Sequence, residues 1–208
     1  MKIGIIGATG KQGNLILQEA LNRGHEVLAC VRNKDKLTQE VPYIEKELYD
    51  LTTEEIEPLD VVVNAFNAPP NMPQLHQSSL RHITKILKQT PVRLYVVGGA
   101  GSLYTDDSKT TMLFEQEGFP KSFHLTAENM AKSLKELENS TGTTWTYVSP
   151  AAHFDFNGPK TGQYKIGGEV ISYDENGKSY LSYQDYASAM LDIIESGNYK
   201  NERISVYS

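Results

Sequence analysis

Cysteine occurs once in the 208 residues, at Cys30, so no internal disulfide and no multi-cysteine metal site can be built. The five histidines are dispersed, and His25, His76 and His82 show no ligand spacing for a metal. Long apolar runs are missing too: none reaches the roughly 18 residues of a membrane span, and mean hydropathy is −0.43. The opening Met1–Gly7 is broken by glycine and lacks the roughly 7–15-residue apolar core of a secretory signal. A surplus of basic charge is also absent. Twenty Lys and Arg face 26 Asp and Glu, for a net charge of −6, which argues against nucleic acid, whose binders cluster cations against phosphates. These absences lead us to expect neither nucleic acid nor membrane as a partner, no metal, and a reducing cytoplasm as the compartment. Hydrophobic residues at 39% suffice for one sizeable core, so residues 1–208 are expected to form one domain.

What is present is alternation. Short apolar runs at Lys2–Ile6, Val27–Val31, Ile44–Leu48, Asp60–Asn64, Val92–Val97 and Trp145–Val148 read as strands. Between them, 13–23, 72–89 and 124–139 read as helices, the last with Ala127, Met130, Ala131, Leu134 and Leu137 on one face. Strands and helices in turn predict an α/β fold, a doubly wound parallel sheet covered on both faces. The last quarter changes character. Glu169–Tyr173 and Lys178–Leu181 flank Asn176-Gly177, which predicts a β-hairpin. Ser182 then caps a final helix, with Asp185 as the capping-box acid, and Arg203–Tyr207 reads as an edge strand. About 150–208 would wall the substrate side of a cleft.

The most informative segment is Gly7-Ala8-Thr9-Gly10-Lys11-Gln12-Gly13, between the first strand and the first helix. A diphosphate needs backbone N–H groups at a helix start, where the helix dipole favours anions. A β-carbon at Gly10 would obstruct that approach, and Gly13 lets the helix pack closely on the sheet. The strand before and the helix after supply the context a dinucleotide fingerprint requires. The second strand then ends Cys30-Val31-Arg32-Asn33, with Lys34 and Lys36 following. Arg32 stands where an NAD site presents an acid to the ribose hydroxyls. A cation there predicts NADP(H) over NAD(H), with Arg32 forking onto the 2′-phosphate and Lys36 as a second positive charge.

These residues resemble the atypical NAD(P)H-binding branch of the short-chain dehydrogenase/reductases, which includes NmrA-like proteins and NADH-flavin reductases. The resemblance also rests on Val31-Arg32-Asn33-x-x-Lys36-Leu37, Tyr49-Asp50-Leu51-Thr52, Val96-Val97-Gly98-Gly99-Ala100-Gly101-Ser102, Ser149-Pro150-Ala151-Ala152 and Thr161-Gly162-x-Tyr164. It implies a Rossmann fold in which Gly7, Thr9, Gly10, Gln12 and Gly13 line the diphosphate. Arg32 and Lys36 would take the 2′-phosphate, and Asp50 and Leu51 the adenine. Asn64, Ala65 and Phe66 would run beside the nicotinamide ribose, and Gly98 joins the cofactor-binding set.

The superfamily's Tyr-x-x-x-Lys pair is missing. Four residues before Lys132 stands Glu128, a pair that reads as an ordinary ion pair on a helix face. That departs from alcohol dehydrogenase, epimerase or dehydratase chemistry. It suits hydride transfer to a flat acceptor such as free flavin or a quinone, where the cofactor carries the hard chemistry and a strong acid is optional. Ser102 and His153 are the candidate catalytic helpers, against the alternatives of a loop serine bonded to its own backbone and a solvated loop histidine. Phe66, Tyr104, Phe114, Phe119, Phe154 and Tyr164 offer apolar surface for a flat ring or for the core. A small-molecule acceptor is the expected partner, and the protein is expected to be a monomer or homodimer. The competing function is an NmrA-like redox sensor that binds NADP(H) without turnover. A sugar-nucleotide epimerase or dehydratase ranks third.

Overall fold

The computed structural model describes all 208 residues, Met1–Ser208. Its first strand, β1 (Lys2–Ile6), lies at the centre of the sheet. Ile5 and Ile6 point to opposite faces and are both buried, so the sheet must be covered on both sides. β2 (Glu26–Val31) and β4 (Val61–Asn64) flank β1 in parallel, with Ile3 beside both Val27 and Val61. β3 (Tyr43–Glu45) pairs with β2 at one edge. On the other side follow β5 (Arg93–Val97) and β6 (Thr144–Ser149), again parallel. Parallel neighbours require crossovers, which are α1 (Lys11–Asn22), α3 (Leu75–Ile86), α4 (Lys121–Glu138) and α5 (Tyr183–Ser196), with the one-turn α2 (Thr53–Ile56) before β4.

The helices divide between the two faces. Ile16, Leu17, Ala20, Tyr186 and Met190 of α1 and α5 pack with Ile3 and Ile5 on one. Leu80 and Ile83 of α3 and Leu134 and Leu137 of α4 pack with Ile6 and Val62 on the other. At about 25 cal/mol per Å² of apolar surface buried, these two layers supply most of the folding drive. The doubly wound parallel sheet expected from the sequence is the observed architecture.

The C-terminal region departs from expectation in three places. First, β10 (Glu202–Tyr207) is not an edge strand. It pairs parallel with β6 and antiparallel with β8 (Lys165–Gly167), so the order is β3-β2-β1-β4-β5-β6-β10-β8. Second, the expected hairpin does not form, although the chain does turn at Asp174–Lys178. Asp174 N–H donates to Lys178 O at 2.8 Å, and the Asp174 carboxylate accepts from the N–H groups of Asn176 and Lys178. The flanking segments find other partners. Tyr104 N–H donates to Glu169 O and Ile171 N–H to Tyr104 O, each at 2.9 Å. Tyr180–Ser182 (β9) pairs in parallel with His153–Asp155 (β7). Third, Ser182 Oγ accepts from Asp185 N–H as expected of a cap, but the Asp185 carboxylate turns away from the box. It accepts instead from Thr161 N–H and Gly162 N–H at 2.9 and 2.8 Å and from Thr161 Oγ1 at 2.7 Å.

No helix is long and apolar enough to cross a membrane. No group of three or more His, Cys, Asp or Glu side chains is placed to hold a metal ion.

Candidate functional site

The strand order reverses between β1 and β4, since the chain returns over β1 after building outward to β3. Open α/β sheets bind ligands at such a crevice, outside the carboxyl ends of the strands. The glycine turn lies on it. Gly7 has φ +79°, and a β-carbon there would stand 2.9 Å from Ala65 O at the end of β4. A β-carbon on Gly13 would meet Gly7 O at 2.2 Å, so the start of α1 rests directly on the turn. Ala65 N–H donates to Ile6 O at 2.9 Å, which fixes the β4 exit beside the same turn.

The mouth of α1 has the features of an anion seat. Its first helical bond runs from Asn14 N–H to Gly10 O at 2.9 Å, leaving the amides of Lys11, Gln12 and Gly13 without intrahelical partners. No side chain caps them, and no acid stands in the first turn. Gly10 is exposed, and a β-carbon there would touch only Gly7 O, at 3.2 Å, before projecting into open space. Thr9 is half-buried beside it. Uncovered donors at a positive dipole end suit a diphosphate. Gln12 contributes differently from expectation. Its side chain is buried and donates from Nε2 to Tyr183 O at 3.2 Å, so only its backbone faces the seat.

Arg32 and Lys36 stand exposed past the end of β2, Arg32 before a short helical turn (Lys34–Lys36) that Asn33 caps through Asp35 N–H, and Lys36 as its last residue. Neither joins a salt bridge, whereas Lys34 between them lies 4.0 Å from Glu45 and 5.5 Å from the Tyr43 ring. Asp50 is exposed at the end of the turn after β3. Leu51 is buried, and its carbonyl accepts from His82 Nε2 at 3.1 Å, so its side chain belongs to the core. Asn64 is buried and turns its own loop, accepting from Phe66 N–H at 3.1 Å. Phe66 is half-buried, edge-on to His76 at 6.3 Å. Gly98 serves packing: a β-carbon there would stand 2.3 Å from the Tyr147 ring.

Residues 7–197, spanning nearly this whole framework, match the NAD(P)H-binding family. The chain belongs to that family. YwnB of Bacillus subtilis strain 168, itself uncharacterised, is 50% identical over 210 residues, covering 100% of this chain and 99% of YwnB. A Streptococcus pneumoniae crystal structure, of a protein provisionally named an NADH-flavin reductase, is 41% identical with a TM-score of 0.96. That similarity covers 100% of this chain and 99% of the other. A Bacteroides thetaiotaomicron structure provisionally named an epimerase is 30% identical, with a TM-score of 0.87 over 99% of this chain and 96% of the other.

Within this NAD(P)H-binding protein, the two catalytic candidates fare differently. Ser102 is 1% exposed, in the turn Ala100–Ser102 after β5. Its carbonyl accepts from Arg203 Nη1, and its hydroxyl lies 3.4 Å from the same atom. Arg203 is buried, with its guanidinium 5.1 Å from the Tyr104 ring and 3.7 Å from the Glu169 carboxylate. Burial holds its pKa below the usual arginine value, with Glu169 acting in the opposite direction. Ser102 is thus a member of the clasp joining the β5 exit to β10, which the sequence hid because Arg203 reads as an edge-strand residue.

His153 is exposed at the start of β7, its ring stacked 5.4 Å from Tyr180 at 18°. Glu128 and Lys132 form the expected surface pair, 2.7 Å apart. Position 128 holds glutamate where the superfamily pair has tyrosine. Tyr147 under Gly98 is sealed from solvent, and burial pushes its hydroxyl up to about 12. His76, in the first turn of α3, also escaped sequence reasoning. It is 6% exposed with Nε2 unpartnered, and burial depresses its pKa to about 4.

Proposed function

We propose that this protein is an NADPH-dependent reductase that passes hydride to a flat, electron-poor acceptor such as free flavin or a quinone. The observation that carries the reading is the pairing of an uncapped helix mouth with two unpaired cations, Arg32 and Lys36, at the end of β2. The amides of Lys11, Gln12 and Gly13 hold the diphosphate. Arg32 and Lys36 hold the 2′-phosphate, and Asp50 borders the adenine. When bound, the reduced nicotinamide supplies the hydride. Exposed apolar side chains at the carboxyl edge of the sheet, among them Met72, Phe123, Leu125 and Phe156, give a flat acceptor a surface to rest on and help exclude water. His153, already stacked on Tyr180, is the residue that orients the acceptor or donates to it. A reduced flavin or quinone anion takes its proton from solvent, so the lack of a tyrosine at position 128 and the enclosure of Ser102 do not block the reaction.

The same two features favour a second reading, an NmrA-like sensor that binds NADP(H) without turnover. They disfavour an epimerase, which needs a placed proton-transfer group. Both readings put the protein in the cytoplasm, where the nucleotide pool lies, as a monomer or homodimer. Incubation with NADPH and riboflavin, FMN or menadione, followed at the nicotinamide absorbance band, decides between them. Steady NADPH consumption is expected. Tight binding with no consumption across that panel leaves the sensor. His153→Ala is expected to slow consumption about tenfold, the scale of a lost ring stack, at unchanged NADPH affinity.

A further inference from the structure

The mouth of α1 carries a cation that the glycine turn does not explain. Lys11 is the first residue of α1 and is exposed. Side chains on a helix lean toward its N-terminus, so Lys11 reaches past the free amides rather than away from them. No carboxylate pairs with it. Instead its Nζ lies 4.4 Å from the centroid of the Phe156 ring. Phe156, 44% exposed, follows β7 in the strap that crosses toward α5. Its ring stands edge-on to Tyr183 at 5.5 Å, and Tyr183 stacks on Phe154 at 3.9 Å. Next to Lys11, Gln12 is 7% exposed, donates to Tyr183 O, and leaves Oε1 buried without a partner. The strap is tied down further by Lys160 on Glu19 of α1, at 2.7 Å.

An ammonium over an exposed ring is held weakly, whereas one bonded to a phosphate oxygen gains a charge-assisted hydrogen bond. A diphosphate on the α1 amides therefore draws Lys11 off Phe156. We propose that Lys11 is a further ligand of the cofactor's diphosphate, held in reserve by Phe156 until the cofactor arrives. Phe156 is then a competitor for Lys11. The inference rests on the dinucleotide seat and is independent of both the acceptor and the preference between NADPH and NADH.

The test is calorimetric titration of NADPH and NADH, at low salt, into wild type, Lys11→Met, Lys11→Arg, Phe156→Leu and the double variant Lys11→Met/Phe156→Leu. Melting midpoints report that each variant is folded. Lys11→Met should weaken both cofactors by the same factor, about tenfold, because the diphosphate is common to them. Lys11→Arg should stay within about twofold of wild type. Phe156→Leu should tighten both by about two- to fivefold, the scale of an exposed cation–π contact, and should do nothing once Lys11 is Met. An unchanged affinity in Lys11→Met overturns the proposal. So does a loss confined to NADPH, or a Phe156→Leu effect that persists without Lys11. Absence of binding to wild type overturns the seat itself, a distinguishable failure.

Discussion

In the proposed function, Arg32 sets which nucleotide the seat prefers, through its charge. It is exposed and free of carboxylate partners, so its guanidinium is available to a 2′-phosphate without breaking an existing bond. Arg32→Asp removes one attraction and adds one repulsion. NADPH affinity is expected to fall by about ten- to a hundredfold, on the scale of a charge-assisted bond. NADH affinity should stay level or rise. Equal losses for the two nucleotides, measured by calorimetry, contradict the assignment of this residue. The place of Arg32, exposed just past the end of β2, was legible in the sequence because it follows from the apolar run that ends at Val31. Ser102 was not: its neighbour Arg203 lies 101 residues away, and only the insertion of β10 inside the sheet brings them together. From the sequence, Gly98 reads only as a member of the cofactor-binding set. Its need to be glycine is real, but the cause is the Tyr147 ring.

At the scale of elements, the segment from 153 to 164 shows where pattern reading stops. Thr161-Gly162-x-Tyr164 carries the resemblance to the flavin-reductase group, and its structural job is now visible. Thr161 and Gly162 supply three donors to the fully buried Asp185 carboxylate, while Tyr164 donates to Asp192 of α5. Asp185→Ala removes three hydrogen bonds whose donors, on the exposed Thr161 and Gly162, turn to water, so the cost is that of the bonds themselves, on the order of 1 kcal/mol each. A loss of about 3 kcal/mol in chemical denaturation is expected, and a loss below about 1 kcal/mol contradicts this role for Asp185.

The first turn of α3 makes the second prediction at this scale. Unfolded, His76 titrates near the ordinary histidine value; folded, burial lowers it to about 4. Falling pH therefore favours the unfolded chain. This contribution leaves stability intact above about pH 6.5 and removes on the order of 3 kcal/mol by about pH 4. His76→Leu abolishes that component. Between pH 7 and pH 4.5 its urea midpoint should fall less than that of wild type, and parallel losses contradict the account. The hairpin expected around Asn176-Gly177 failed for a related reason: the turn chemistry is sound, but Tyr104 and β7 compete for the flanking backbone and win.

Across the whole molecule, the alternation of β-branched runs and amphipathic helices sufficed to predict the doubly wound sheet, because burial on both faces leaves few other arrangements. The six strands from β1 to β6 follow from that rule; their order around β1 is supplied by the structure. The two-strand extension by β10 and β8 does not, since it depends on pairings made by short segments with ambiguous patterns. The consequence for the proposed function is that the nucleotide seat is built from the β1–α1 turn and the nearby exits of β2, β3 and β4, while the proposed acceptor side is assembled from distant pieces. The central claim, a diphosphate and 2′-phosphate seat at the mouth of α1, meets its most direct test in calorimetric titration of the wild-type protein with NADPH and with NADH. The account predicts saturable, one-to-one binding of both, with NADPH the tighter by about tenfold or more. No heat and no rise in melting temperature with either nucleotide would contradict it.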